Sequence, residues 1–268
     1  MGVNMNKGYA IVTGASSGIG EEFAYQLAEK GYSIILIARR KAELERISKD
    51  IINKHKVKTK VFTCDLSKEQ EIKRIIRYVT QIKNIDFLVN CAGFGNKAHF
   101  SGIGFSEMDT DKMRDMIMVH VMATTELTKA ITPMMIKRNK GYVINVSSVA
   151  SFVTSAKSNA IYNSTKAYER IFTETLIDEL KIKTNKIHAQ ALCPGLTKTP
   201  FFKNYDASYA PSFMWMTKEV VVKKSIHKVI KKSSVFIPGW KNQFMVLLLR
   251  CTLTKKIINF FGRKLNIK

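Results

Sequence analysis

A tyrosine and a lysine spaced four residues apart, Tyr162 and Lys166, form the clearest acid–base pair in this sequence. On a helix, positions i and i+4 share one face, so the two side chains would be neighbours. A tyrosine near its ordinary pKa of about 10 transfers protons poorly at neutral pH, and a nearby ammonium lowers that pKa toward the working range. The pair could therefore protonate a carbonyl oxygen as a hydride reaches the carbon; otherwise it is an ordinary packed helix face.

A serine ahead of this helix, Ser148, could orient the reacting oxygen. It follows residues 142–146, a mainly apolar run that is typical of a buried strand. A hydroxyl at that strand end can hydrogen-bond the same oxygen that receives the proton. Ser147 directly precedes it and is the second candidate for this role.

A glycine-rich turn, Thr-Gly-Ala-Ser-Ser-Gly-Ile-Gly at residues 13–20, lies between a predicted strand and a predicted helix. Glycines allow the backbone to approach a pyrophosphate closely, and the N-terminus of the helix favours an anion. The strand–turn–helix context favours this interpretation over a plain flexible turn. The residues expected to hold the pyrophosphate of a dinucleotide are Gly14, Ser16, Gly18, Ile19 and Gly20.

Two arginines, Arg39 and Arg40, follow the second predicted strand, where a dinucleotide site contacts the adenosine ribose. An acid there would accept a hydrogen bond from the 2′-hydroxyl of NAD, whereas a guanidinium suits a 2′-phosphate. No acid occurs before Glu43, so we expect NADP(H), with Arg39 as the first candidate contact and Arg40 as the second. Two solvated arginines after a strand are the alternative.

The third and fourth predicted strands end in further candidates. Asp65 and Leu66 are placed to receive the adenine, and Asp65 could also cap the next helix. Asn90, Ala92 and Gly93 follow the fourth strand, where small residues would let the cofactor lie close.

The hydrophobic pattern supplies a scaffold for these residues. Continuously apolar strands alternate with helical spacing, which predicts an α/β fold with a doubly wound parallel sheet. Long helices are expected over residues 113–135 and 162–180. A composition of 46% hydrophobic and 24% charged residues excludes a disordered or collagen-like chain. The four cysteines lack metal-ligand spacing, so we expect free thiols in a reducing compartment and no metal site.

Together, the glycine turn, residues 90–93, Ser148, residues 162–166 and residues 194–199 resemble the short-chain dehydrogenase/reductase family, and in particular NADP-preferring bacterial members. The resemblance covers roughly residues 7–240 and implies a Rossmann-like fold with a seven-stranded parallel sheet. It implies Tyr162 as general acid/base and Lys166 as a ligand of the nicotinamide ribose that lowers the Tyr162 pKa. It also implies Ser148, rather than Ser147, as the residue that positions the substrate oxygen. The residues implied to hold the nicotinamide end are Pro194, Gly195, Leu196, Thr197 and Thr199.

One departure from the family falls in the helix before the fifth strand, where the family usually has an asparagine that helps hold a proton-relaying water. The aligned residue here is His120. A histidine also offers a donor and an acceptor, so it could hold the same water and add a titration near neutrality. A core histidine with both nitrogens satisfied is the alternative. Tyr162 also lies 14 positions after Ser148, one more than is common in the family, and loop 152–159 can absorb the difference.

An aromatic and Met-rich segment at residues 201–205 and 209–216 corresponds to the lid that covers the substrate in the family. Such a lid predicts an apolar carbonyl or alcohol substrate, such as a steroid, a fatty-acyl ketone or a hydrophobic aldehyde. Packing of the same residues onto the sheet or onto a neighbouring subunit is the alternative.

Positive charge is concentrated at the C-terminal end. The chain has 44 Lys+Arg against 21 Asp+Glu, a net charge of +23, and residues 220–268 hold 12 of these bases and no acid. A basic, partly apolar helical extension over residues 241–268 could rest on an anionic membrane surface; a subunit interface, a flap over the active site and solvated lysines are the alternatives. The longest apolar run, residues 244–249, is too short to span a bilayer. No nucleic-acid motif occurs, so we expect no nucleic-acid partner.

The sequence thus predicts a catalytic domain over residues 7–240 in an NADPH-dependent carbonyl reductase or, reversibly, an alcohol dehydrogenase. We expect a dimer or tetramer of identical chains in the cytoplasm, with the inner membrane face as the place of any peripheral contact. A catalytically silent NADP-binding regulatory or scaffold protein is the alternative, and the short chain disfavours a sugar epimerase.

Overall fold

The computed structural model describes residues 7–95, 105–154, 160–202, 211–232 and 234–250. The strands are β1 (Tyr9–Thr13), β2 (Ser33–Ala38), β3 (Thr59–Thr63), β4 (Ile85–Asn90), β5 (Gly141–Val146), β6 (Ile187–Leu192), β7 (Thr197–Lys198), β8 (Met216–Thr217) and β9 (Val235–Phe236). Seven of them form one parallel sheet in the order β3-β2-β1-β4-β5-β6-β9, and β7 pairs with β8 separately.

Helices connect the strands and cover both faces of the sheet. They are α1 (Gly18–Glu29), α2 (Lys41–His55), α3 (Glu69–Val79), α4 (Thr110–Ile117), α5 (Thr124–Arg138), α6 (Ala160–Lys183), α7 (Lys218–Ile230) and α8 (Trp240–Arg250). Along β1, Ile11 and Val12 are both fully buried and point to opposite faces, each into its own core cluster. This two-sided burial explains the continuously apolar strands, and it confirms the predicted doubly wound α/β fold.

The sheet reverses its order between β1 and β4, because β2 lies on one side of β1 and β4 on the other. In open parallel sheets, a crevice forms outside the carboxyl ends of the strands at such a switch point. The loops that follow β1 and β4 therefore meet there, and they carry the predicted glycine turn and the residues after Asn90.

The helix expected over residues 113–135 forms, within an uninterrupted helical stretch from residue 110 to 138, but it is not a regular α-helix throughout. The structure places a π-type turn, Met118–Ala123, between α4 and α5. Such wide turns inside helices are frequent at functional sites. This one buries His120 completely, facing the crevice loops, which a uniform 3.6-residue period does not predict.

A buried carboxylate fastens the opposite end of the sheet. Asp86 in β4 is fully buried and accepts hydrogen bonds from Arg138 Nη2 at 2.7 Å and Lys140 Nζ at 2.6 Å. The backbone N–H of Gly8 also donates to it, at 3.3 Å. Burial opposes ionisation, but the two cations outweigh it and hold the Asp86 pKa below its usual value.

The first part of the predicted extension packs on the core as α8. Its Asn242 and Val246 are buried, and Val246 lies in a small cluster with Phe152 and Cys193. Residues 251–268 lie outside the described residues. Within the described ranges, no helix is both long enough and apolar enough to cross a membrane.

Candidate active site

A cavity of about 570 Å³ opens at the switch point, beyond the carboxyl ends of the strands. Eighteen of the residues predicted for the site line it: Gly14, Ser16, Gly18, Ile19, Gly20, Arg39, Arg40, Asp65, Leu66, Ala92, Gly93, Ser148, Tyr162, Lys166, Pro194, Gly195, Thr197 and Thr199. The sequence motifs, which are spread over almost two hundred positions, therefore converge on one space.

Three predicted residues lie outside the cavity lining. Asn90 is buried in the sheet, where its amide donates to Asn145 Oδ1 at 2.8 Å and Thr128 Oγ1 at 3.1 Å. Leu196 is also absent from the lining, and its carbonyl accepts from Met216 N at 2.9 Å. Neither residue lines the cavity, so their contact with the cofactor stays a prediction, and the Asn90 side chain instead links β4 to α5 and β5. His120, the third, is fully buried and does not line the cavity.

The glycine turn is shaped by backbone requirements. Gly14 and Gly18 have φ values of +67° and +60°, which disfavour any residue with a side chain. A Cβ on Gly14 would also come within 2.8 Å of Cys91 O. Arg40 spans this turn, donating to Ser16 O at 2.9 Å and to Ser16 Oγ at 3.1 and 3.2 Å. The second arginine candidate therefore orders the turn as well as lining the cavity.

A threonine not among the predicted site residues holds the facing loop. Thr13 Oγ1 accepts from the N–H groups of Cys91 and Ala92 at 2.9 and 3.0 Å. Asp65 plays a comparable local role: its Oδ1 accepts from Ser67 N at 3.0 Å, ahead of α3, whose first residue is Glu69. Asp65 therefore closes a turn before the helix rather than capping the helix itself.

Tyr162 and Ser148 are hydrogen-bonded to each other at the cavity wall. Burial raises the pKa of Tyr162, while the Lys166 ammonium and the Ser148 hydrogen bond lower it. Burial is the largest effect, so the Tyr162 pKa lies above its ordinary value of about 10. Lys166 therefore acts on the tyrosine in the expected direction, although burial opposes it.

Lys166 is buried, and an acid that the sequence analysis did not single out is its partner. Its Nζ donates to Val146 O at 3.0 Å and to Glu169 Oε2 and Oε1 at 2.8 and 3.2 Å. Burial is the largest single effect and lowers the Lys166 pKa, but the charge and hydrogen bond of Glu169, with Tyr162 and Cys91, together outweigh it and the net pKa is raised. Burial raises the pKa of Glu169 to about 7 in spite of Lys166. The available signal was an acid three positions after Lys166, on the same helix face.

His120 is a fully satisfied neutral imidazole. Its Nε2 accepts from Phe94 N at 3.1 Å, so its Nδ1 carries the proton and donates to Thr165 Oγ1 at 2.9 Å. Thr165 in turn donates to the Tyr162 carbonyl at 2.9 Å. Burial, with Lys166 adding to it, lowers the His120 pKa well below 6.5. The expected titration near neutrality is therefore wrong for this residue, while its relay role stays a prediction.

Aromatic side chains extend from the tyrosine. Phe94, Phe201 and Phe202 line the cavity. Phe201 has its ring centroid 6.3 Å from that of Tyr162, and Phe202 packs edge-on against Trp215 at 5.1 Å. Of the predicted lid, residues 203–210 lie outside the described residues.

The three cysteines within the described ranges, Cys64, Cys91 and Cys193, are free thiols, and burial raises the pKa of each to about 12. Cys251 lies outside those ranges. The same part of the chain contains no group of three or more His, Cys, Asp or Glu side chains that could hold a metal ion.

The lining fits a phosphorylated dinucleotide. Glycines at the first turn leave space that a Cβ at Gly18 would fill, 3.3 Å from Thr199. Guanidinium groups stand at one end of the cavity and a buried ammonium at the other, beside the tyrosine and serine hydroxyls. Anion-binding groups and a proton-transfer group are thus held in one cleft.

Comparison with known proteins identifies the family. The family model described as short chain dehydrogenase matches residues 8–210. The chain therefore belongs to the short-chain dehydrogenase family of oxidoreductases, as its motifs indicated.

Individual relatives agree with this assignment. A very-long-chain 3-oxoacyl-CoA reductase of Phaeosphaeria nodorum is 32% identical over 73% of this chain and 56% of its own length. The human inactive hydroxysteroid dehydrogenase-like protein 1 is 32% identical over 71% of this chain and 56% of its own. The chain spans about half the length of the first curated relatives that it matches. A solved short-chain dehydrogenase from Sphingobium yanoikuyae, in complex with NADPH, shares the fold with a TM-score of 0.79, 22% identity and coverage of 98% and 96% of the two chains.

Proposed function

We propose that this protein is an NADP(H)-dependent carbonyl reductase that also runs in reverse as an alcohol dehydrogenase. The observation that carries the proposal is the convergence of Ser148, Tyr162 and Lys166 on the cavity that the glycine turn opens. The nicotinamide, when bound, supplies a hydride to the carbonyl carbon or accepts one from the alcohol.

The chain's own residues supply the proton and the orientation. Tyr162 gives its hydroxyl proton to the substrate oxygen as that oxygen gains charge, and the resulting phenolate is reprotonated from solvent. Ser148 donates a hydrogen bond that fixes the same oxygen within reach of Tyr162. Lys166 stabilises the phenolate by its charge. The products would be an alcohol, the oxidised cofactor and a tyrosine reprotonated by solvent, so one hydride and one proton are consumed for each carbonyl reduced.

NADP(H), rather than NAD(H), is supported by Arg39 and Arg40 at the end of β2. Arg40 also orders Ser16, so Arg39→Ala is the cleaner test of phosphate binding. We expect this variant to raise the KM for NADPH at least about tenfold with little change for NADH, because only NADPH has the 2′-phosphate. The matched control is Lys41→Ala, which removes an exposed cation two positions further on. Equal effects on both cofactors would contradict the proposal.

An apolar substrate is supported by the aromatic wall formed by Phe94, Phe201 and Phe202. The Phaeosphaeria nodorum relative is named a very-long-chain 3-oxoacyl-CoA reductase, and a very long acyl chain is apolar in the same way. A panel that sets lipophilic ketones and 3-oxoacyl thioesters of increasing chain length against sugar-like ketones tests this. We expect kcat/KM to rise with the apolar area of the substrate. Equal turnover of both groups would contradict it.

The competing proposal is that the protein binds NADP without catalysing a reaction. The human relative has the word inactive in its name. The intact set of Ser148, Tyr162 and Lys166 in the cavity favours catalysis. Tight NADPH binding without turnover on any member of the substrate panel would favour the silent alternative.

We also propose a homo-oligomer. Tyr168 and Ile171 on α6 and Met122 in the π-type turn are large exposed hydrophobics, and Tyr168 hydrogen-bonds Thr125 of α5 at 2.8 Å. The two helices thus present one partly apolar face, which a second copy would bury. Light scattering on wild type and Ile171→Glu tests this, with a monomeric variant expected and an unchanged mass contradicting it.

Contact with an anionic membrane surface is proposed for α8. Its outer face exposes Trp240, Phe244, Leu247 and Leu248 at 72%, 57%, 66% and 40%, opposite the buried Asn242 and Val246. The absence of acids from residues 220–268 complements anionic headgroups. This proposal places the catalytic domain, residues 7–240, beside a lipid surface.

A further inference from the structure

A buried acid, Glu169, lies directly behind the proposed catalytic pair. It sits three residues after Lys166 on α6 and is 1% exposed. Its two carboxylate oxygens lie 2.8 and 3.2 Å from Lys166 Nζ, and Lys166 is itself 5% exposed. Two opposite charges held this close and out of water affect every charge nearby.

The carboxylate and the ammonium act on Tyr162 in opposite directions. Lys166 lowers the Tyr162 pKa and Glu169 raises it. Within the part of the chain that the structure describes, the other titratable groups on which this pair acts are Cys91, Cys193 and His120: both charges act on Cys91, Glu169 acts on Cys193, and Lys166 acts on His120. Neither thiol ionises near neutrality and His120 stays neutral, so Lys166 and Glu169 supply the charge that Tyr162 experiences in that range.

We propose that Glu169 is a positioning residue for the Tyr162–Lys166 pair: its carboxylate holds the Lys166 ammonium against β5 and offsets part of the positive charge presented to Tyr162. The second anchor of the ammonium is the carbonyl of Val146, the last residue of β5, at 3.0 Å. The consequence for turnover rests on the proposed function, whereas the contact and its effect on Tyr162 do not.

The pH dependence follows from the burial of Glu169. Because burial raises its pKa to about 7, the carboxyl loses its charge as the pH falls through neutrality. Below that pH, Lys166 acts on Tyr162 without opposition; above it, the two charges partly cancel. Glu169 would therefore change the charge beside Tyr162 as the pH passes through neutrality, a range in which His120 keeps its neutral form.

The test is an ultraviolet difference titration of tyrosine ionisation, performed without substrate. Wild type and Glu169→Gln are each compared with the same protein carrying Tyr162→Phe, so that the difference isolates Tyr162. We expect the Tyr162 midpoint to move by about one pH unit in Glu169→Gln, because Tyr162 loses an opposing charge and Lys166 loses the anion that raises its pKa. Glu169→Met, a second neutral side chain of similar length, is measured as well, so that one folded variant suffices.

The matched control is Glu174→Gln, which removes an acid from the same helix whose side chain is 40% exposed and paired with Arg170. Its midpoint should equal that of wild type. An unchanged midpoint in folded Glu169→Gln or Glu169→Met overturns the proposal. A shifted midpoint in a protein that turns over no substrate would uphold this proposal and refute the proposed function, so the two failures are distinguishable.

In an active enzyme, the same change has a kinetic signature. The acidic limb of kcat/KM for alcohol oxidation requires ionised Tyr162, so in Glu169→Gln it should move in the same direction as the titration midpoint and by the same amount. A purely structural role would lower the rate at every pH without moving the limb, and that result would count against the proposal.

Discussion

At the scale of single residues, His120 shows how neighbours decide the chemistry of a side chain. Phe94 N donates to one ring nitrogen and Thr165 accepts from the other, so neither is left for a charge-changing role. A protonated ring would lose the bond from Phe94 and face the Lys166 ammonium in a buried site. The structure therefore favours the satisfied core histidine over a group that titrates near neutrality.

We predict that His120 stays in its Nδ1–H neutral form throughout the pH range in which an ordinary histidine titrates, as expected for a buried histidine beside a cation. Long-range nitrogen–proton NMR spectra report the tautomer and charge of each ring. A His120→Asn spectrum assigns the resonance. A His120 midpoint between pH 6 and 8 would contradict this account.

At the scale of elements, Asp86 connects three parts of the chain at the end of the sheet remote from the cavity. It pairs with Arg138 at the end of α5 and Lys140 before β5, and it accepts from Gly8 before β1. The hydrogen bonds and ion pairs of Asp86 therefore connect the central strands at one end, and the loops of the site follow the opposite ends of the same strands.

Replacing Asp86 by Asn should destabilise the fold by about 2 kcal/mol, because the charge-assisted hydrogen bonds to two partly exposed cations are lost. Urea unfolding measures this, with Asp178→Asn as the control, because Asp178 is an exposed acid paired with Lys181 and we expect little change. The folded-state pKa of Asp86 is lowered, so its contribution is present above its unfolded pKa of about 4 and is lost as the pH falls through the folded value. The two unfolding free energies should therefore converge in acid; a constant difference would contradict the assignment.

Helix α8 links the C-terminal region to the site. A Cβ on Gly195 would lie 2.5 Å from Asn242 Oδ1, so α8 packs directly against the loop at the nicotinamide end of the cavity. Asn242 also donates to Pro238 O at 2.8 Å. Removal of α8 would expose this loop, and point substitutions on its outer face are therefore the better probe of what α8 contacts.

At the scale of the whole molecule, the basic residues that give the net charge of +23 lie in at least two distinct regions. Arg39, Arg40 and Lys166 face the cavity, whereas residues 220–268 place 12 bases and no acid around and after α7 and α8. On α8, Lys241 lies 4.5 Å from the ring of Phe213 and 5.5 Å from that of Trp240. Basic and aromatic side chains at one surface are typical of an interfacial element.

We predict that wild type sediments with vesicles of phosphatidylcholine and phosphatidylglycerol, less with phosphatidylcholine alone, and less again in high salt. Phe244→Glu with Leu247→Glu should reduce this binding by about tenfold or more, given the apolar burial lost. The control is Ile182→Glu, which places an acid at an exposed apolar residue of α6. Equal sedimentation of all three proteins, or a change of oligomeric state in the α8 variant, would contradict membrane contact.

The sequence predicted the parallel sheet and the convergence of the motifs, because apolar strands and turn glycines are local signals. It did not predict Glu169, whose effect arises only from burial beside Lys166, nor the net rise of the Tyr162 pKa. The π-type turn at His120 and the two-residue strand β9 also lacked a local signal, since both depend on packing against distant elements.

The central claim is that Tyr162 is the proton donor of an NADPH-dependent reductase. The most direct measurement is NADPH oxidation with a lipophilic ketone by Tyr162→Phe, together with NADPH binding by fluorescence titration; Tyr168→Phe on the same helix is the control. We predict that Tyr162→Phe binds NADPH as wild type does and loses about 10²–10⁴-fold in kcat, while Tyr168→Phe keeps its activity. A Tyr162→Phe variant that retains the activity of wild type would contradict the account.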